Sequence, residues 1–114
     1  MDQEALNRAV EEAVWRLVKF YKPERIYLFG SAARGEVSPD SDLDFLVVVS
    51  DDCPREVRLS GDIYQHLWDV PMAVDVVPWR RSDFEGRQCV KSSLPATVAR
   101  EGKLVYVAEA VPVR

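Results

Sequence analysis

The chain has 114 residues, of which 47% are hydrophobic and 30% charged, with a formal net charge of −4. That size supports one core, and residues 1–114 are expected to form a single domain; the apolar content excludes a disordered chain. The acidic balance excludes binding to nucleic acid through bulk charge.

In the first segment Ala5, Leu6, Ala9, Val10, Ala13, Val14, Leu17 and Val18 recur at i, i+3 and i+4, which predicts one apolar helix face. Asp2 and Glu4 near its start and Lys19 and Lys22 near its end suit the helix dipole, and Pro23 stops it. An amphipathic, acidic start is not a secretory signal, and no apolar run approaches the ~20 residues that span a bilayer. Cys53 and Cys89 lie far apart without C-x-x-C spacing. A reduced, cytoplasmic protein with no membrane partner is therefore expected.

ERIYLF (24–29) predicts a short strand with Ile26 and Leu28 on one face and Tyr27 and Phe29 on the other. A brief helical turn over 31–34 and a loop over 35–41 follow. DLDFLVVV (42–49) predicts a central strand, and residues 55–68 fit one helix, although Gly61 weakens its middle. MAVDVV (72–77) predicts a third strand closed by Pro78. Ser82 can cap a helix from Asp83 onward. A last helix is expected with Ser92 or Ser93 as cap, Pro95 in its first turn and Gly102 beyond its end, before a final strand over 103–107. This order predicts an α/β (α+β) fold: a mixed sheet of about four strands with helices packed on it.

The chemistry concentrates in GSAARGEVSPDSDLDFLVVV (30–49). Asp42 and Asp44 share one face of a strand, and Leu43, Phe45, Val47 and Val49 take the other. Two carboxylates so placed repel unless a cation lies between them, and magnesium prefers one or two carboxylates plus substrate phosphates. Asp75, between Val74 and Val76, adds a third acid if the two strands are neighbours. Gly30 lets backbone approach a ligand closely, and the amides after Ser31 can form a phosphate site. Other motifs fail on inspection. Gly30 and Gly35 have Walker A spacing, but Glu36 and Val37 stand where Lys and Ser or Thr are required. Asp40, Asp42 and Asp44 suggest a calcium loop, but Phe45 replaces its glycine.

The pattern Gly30-Ser31, ten residues, then Asp42-x-Asp44 resembles the nucleotidyltransferase superfamily typified by DNA polymerase beta, and within it the minimal nucleotidyltransferases, the MNT group. The resemblance implies that Gly30 and Ser31 bind a nucleoside triphosphate and that Asp42, Asp44 and Asp75 are catalytic and ligate two magnesium ions. It puts Arg34 inside the nucleotide-binding motif. It further implies AMP transfer from ATP, and an antitoxin role beside a HEPN-domain toxin, in a homo- or hetero-oligomer. Two other readings stand beside it: an idle antitoxin that neutralises its partner by contact, and a transferase of the antibiotic-modifying kind. His66, Trp15, Trp68, Trp79 and Cys89 read as structural or surface residues. The pair Arg80-Arg81 reads more readily as solvated than as a phosphate contact.

Overall fold

A computed structural model describes residues 3–36 and 42–108. The first helix, α1, spans Gln3–Tyr21 and buries Leu6, Ala9, Ala13 and Leu17 of the expected stripe, with Tyr21 added, while Ala5, Val10, Val14 and Val18 stay half-buried. It ends where Lys22 turns left-handed at φ 50°, ahead of Pro23. Strand β1 (Arg25–Phe29) alternates as expected, with Ile26 and Leu28 buried beneath α1. Strand β2 (Leu43–Val49) pairs antiparallel with it.

β2 is buried on both faces. Leu43, Phe45, Val47 and Val49 join the core under α1, while Leu46 and Val48 pack with Phe84 and Val98 in a second cluster. The Asp44 face of the strand therefore becomes a second core within one turn of the pleat, and only its first positions stay open to solvent.

The single helix expected over 55–68 is broken. Arg55–Arg58 forms one helical turn, α2, and Gly61–His66 forms a 3-10 helix. Ser60 causes the break, since its hydroxyl accepts from the Asp62 N–H and starts a new helix beside Gly61. Strand β3 (Val74–Arg80) also departs from expectation, running on through Pro78. It is an edge strand, where a residue without an N–H is tolerated.

Helix α3 (Arg81–Arg87) follows at once, two residues earlier than the predicted start at Asp83. Ser82 does not cap it. Its own N–H is instead received by the Asp51 carboxylate at 3.0 Å, from the turn after β2. Helix α4 (Leu94–Glu101) has Ser93 as cap and Pro95 in its first turn. At Gly102 an added Cβ would lie 2.6 Å from the Val98 carbonyl oxygen, so no side chain fits there. Strand β4 (Lys103–Val107) completes a mixed sheet of order β3-β2-β1-β4, with α1 on one face and α3 and α4 on the other. Only β2 and β3 run parallel. Among the described residues no helix is long and apolar enough to cross a membrane.

Candidate active site at one end of the sheet

The parallel register sets Asp44 of β2 directly beside Asp75 of β3. Asp42 lies one residue before β2, and the Leu43 N–H donates to the Ala73 carbonyl at 2.9 Å, which fixes the entry of both strands. Asp42 and Asp75 are exposed and Asp44 is half-buried. Burial first, then the charges of Asp75 and Asp42, hold the Asp44 carboxyl above the usual range. The three acids thus feel one another, and among the described residues no cationic side chain contributes to the Asp44 shift.

β1 ends against this cluster. Gly30 follows Phe29, which is in register with Asp44, and takes φ +76°. A Cβ at Gly30 would stand 2.5 Å from Asp44 Oδ2. Glycine is required twice over, by conformation and by contact. The backbone then makes one tight turn: the Arg34 and Glu36 N–H groups donate to the Ser31 carbonyl (3.1 and 3.0 Å), and the Gly35 N–H to Ala32 (3.2 Å). Ala32 is buried in the core under α1 and anchors this turn.

The donor set is all oxygen and all acidic, which suits a hard divalent cation. The sheet brings Asp44 and Asp75 into register with Asp42 two residues away. Yet among the described residues no three His, Cys, Asp or Glu side chains are already disposed around one metal position.

Arg34 projects away, its guanidinium against the Glu36 carboxylate at 3.3 Å, both exposed. Arg80 and Arg81 lie at the opposite end of β3, where they pair with Asp83 at 2.9 Å and Glu24 at 3.3 Å, so neither reaches the acids. His66 is exposed beside the Phe20 ring. Of the loop expected over 35–41, residues 37–41 lie outside the described residues. One residue the sequence left in the background is Tyr64. Its hydroxyl accepts from the Val76 N–H at 3.1 Å and donates to the Val76 carbonyl at 3.4 Å, closing the outer edge of β3 next to Asp75. No sequence motif marks it, because a tyrosine in an apolar run reads as core.

Comparison with known proteins follows the same lines. A family model described as a nucleotidyltransferase domain matches residues 8–102. No curated protein matches the sequence. Among solved structures, a toxin–antitoxin with AMP-PNP is 24% identical, with a TM-score of 0.57, covering 87% of this chain and 74% of that one. A mutant of the toxin–antitoxin MntA-HpeT is 21% identical, with a TM-score of 0.54 over the same shares of 87% and 74%. A nucleotidyltransferase described as putative, from Sulfolobus solfataricus, is 20% identical at a TM-score of 0.55, covering 96% of this chain and 90% of that one. At these identities the likeness is one of fold.

Proposed function

The chain belongs to the nucleotidyltransferase domain family, and we propose that it acts as a magnesium-dependent adenylyltransferase of the MNT type. In this reading it moves AMP from ATP to a hydroxyl of a HEPN-domain toxin, as the antitoxin of the pair. The observation that carries it is the seating of Gly30 on the Asp44 carboxylate while Asp75 stands in register beside Asp44. A tight backbone turn and a cluster of acids share one end of the sheet, and a triphosphate with its cations would join them. The toxin partner rests on the resemblance of the Gly-Ser and Asp-x-Asp motif to the MNT group. The fold shared with a toxin–antitoxin bound to AMP-PNP supports it.

The residues divide the work as follows. Backbone amides after Gly30-Ser31 receive the β- and γ-phosphates. Asp42 and Asp44 would hold the cation that arrives with the triphosphate, and Asp75 would help hold a second. Bound magnesium would withdraw charge from the phosphates and lower the pKa of the acceptor hydroxyl. Asp75, exposed at the edge, takes the proton from that hydroxyl. The acceptor oxygen forms a bond to the α-phosphorus, the α–β bridging P–O bond breaks, and pyrophosphate leaves. Arg34 would reach the phosphates only by exchanging Glu36 for them.

Incubating the purified protein with α-labelled ATP, magnesium and the co-expressed HEPN protein tests this. Label should enter the partner and pyrophosphate should appear, both dependent on magnesium and on Asp44. A partner that binds but never acquires label would leave the domain as an idle antitoxin.

A further inference from the structure

We infer that the trough between α1 and β4 is a docking groove for an amphipathic helix of the acceptor protein. The inference rests on the reading above that the acceptor is a protein, and it deepens that reading by placing the contact. The trough has a volume of about 490 Å³ and is open to solvent. One wall is the i, i+4 row Leu6, Val10, Val14 and Val18 of α1; Leu28 and Val105 contribute from the sheet. The twelve residue steps of helix from Leu6 to Val18 make the wall about 18 Å long. Trp15, 56% exposed, stands at the rim.

Three features select a helix as the occupant. An i, i+4 row is the ridge into whose flanking grooves another helix packs. Strand addition is disfavoured, because the pairing of β4 with β1 shifts register between Ile26 and Tyr27 and leaves Val105 unmatched. A bulged edge strand that begins with a lysine is a poor template for another strand. The rim also carries charge of both signs. Exposed Glu11 stands on the α1 lip and exposed Lys103 on the β4 lip. Neither is ion-paired among the described residues. Complementarity calls for a helix with an apolar stripe, basic residues on the flank facing α1 and acidic residues on the flank facing β4.

The groove also comes close to the Gly30-Ser31 turn. Ala32 lines its end, and Ala32 follows Gly30 and Ser31 by two and one residues. Two residues span at most ~7 Å, so one lining residue of the groove lies within that distance of Gly30.

The probe is the co-expressed HEPN protein, measured by partner affinity, by KM for the partner in labelled-AMP transfer, and by magnesium-ATP binding. Val10→Glu should raise the partner Kd and KM at least ~10-fold, as for a buried anchor. Glu11→Lys and Lys103→Glu change only exposed side chains and should each raise them ~3–5-fold, with the effect fading at high salt. Magnesium-ATP binding should stay at the wild-type level throughout, which also reports that each variant folds. Unchanged partner Kd and KM in all three variants would overturn the groove while leaving the transferase reading intact. Absence of transfer by the wild type, with binding that still depends on Val10 and Glu11, would overturn the transferase reading and keep the groove. A wild-type homodimer in light scattering that dissolves in Val10→Glu would assign the groove to a second copy and overturn the inference.

Discussion

The two ends of the β2–β3 pair treat charge in opposite ways. At the Arg80 end, signs alternate: Arg80 pairs with Asp83, Arg81 with Glu24, and Asp51 accepts from the Ser82 N–H beside both arginines. At the Asp75 end, Asp42, Asp44 and Asp75 meet, and among the described residues no cationic side chain enters the Asp44 environment. The consequence is visible in two carboxyls. The Ser82 backbone hydrogen bond, helped by Arg81 and Arg80, holds Asp51 below the ordinary range, whereas burial and its neighbours hold Asp44 above it. One end is arranged to stabilise the fold. The other crowds three carboxylates together, at a cost in stability.

The largest effect should come from breaking the acidic end. Asp75→Asn keeps the size of the side chain and removes its charge. Transfer should fall by ~10²–10⁴, the range for losing a positioned base, while magnesium-ATP binding stays within a few-fold. Asp44→Asn should weaken both. The same assay on Arg81→Gln, at the paired end, should leave transfer untouched. Wild-type transfer by Asp75→Asn would remove that residue from the site.

The acidic end of this contrast was legible in the sequence, because it is written in local pattern, whereas Arg80 and Arg81 read as solvated and are ion-paired in the fold. The stripe of α1, the alternation in β1, and the D-x-D opening of β2 are short-range signals, and the register of β2 with β3 needed only one long-range assumption. What escaped depends on tertiary context. Ser60 divides the expected helix over 55–68 by capping a second start, which competes closely with continuing the first. Pro78 continues β3 because β3 turns out to lie at an edge, and edge position is a property of the sheet. The cap on α3 comes from Asp51, 31 residues before Ser82, and no local rule finds it.

The next effect down concerns how the phosphate turn meets the acids. Gly30→Ala must adopt φ +76° and place a methyl carbon 2.5 Å from Asp44 Oδ2. Stability should fall by about 1–3 kcal/mol, and nucleotide binding with it. Gly35 also has a positive φ, +77°, but its Cβ position has nothing within 4 Å. Gly35→Ala should therefore cost only the backbone term, about 1 kcal/mol, and spare the site. Denaturant unfolding of the two variants separates conformation from contact; equal losses would mean that the carboxylate yields freely.

A smaller effect is expected from Tyr64→Phe. The hydroxyl satisfies both the N–H and the carbonyl of Val76 on the outer edge of β3. The residue is 45% exposed, so water can replace the lost partner, and the cost should be about 0.5–1 kcal/mol. Amide exchange gives the sharper readout. Val76 should lose protection in Tyr64→Phe while Trp79, further along β3, keeps its own. Unchanged exchange at Val76 would mean that the hydroxyl does not guard this edge.

The smallest effects, and the ones that test the comparison most directly, are opposite shifts in melting temperature from two like substitutions. Asp44 has a folded pKa above its unfolded value, so its ionised form is disfavoured in the fold. The penalty is absent below the unfolded pKa, grows as pH rises, and is complete above the folded pKa. Asp51 has the reverse sign. Its contribution is complete above its unfolded pKa and is lost as pH falls through the folded one. At neutral pH and without magnesium, Asp44→Asn should therefore raise the melting midpoint and Asp51→Asn should lower it. Lowering the pH through the carboxylate range should shrink both differences toward zero. Magnesium with ATP should stabilise the wild type and Asp51→Asn but not Asp44→Asn, since a ligand that binds only the folded site raises stability by mass action. If Asp44→Asn melts below the wild type at neutral pH, the acids at that end are not in mutual repulsion, and the two ends of the sheet differ less than their charges suggest.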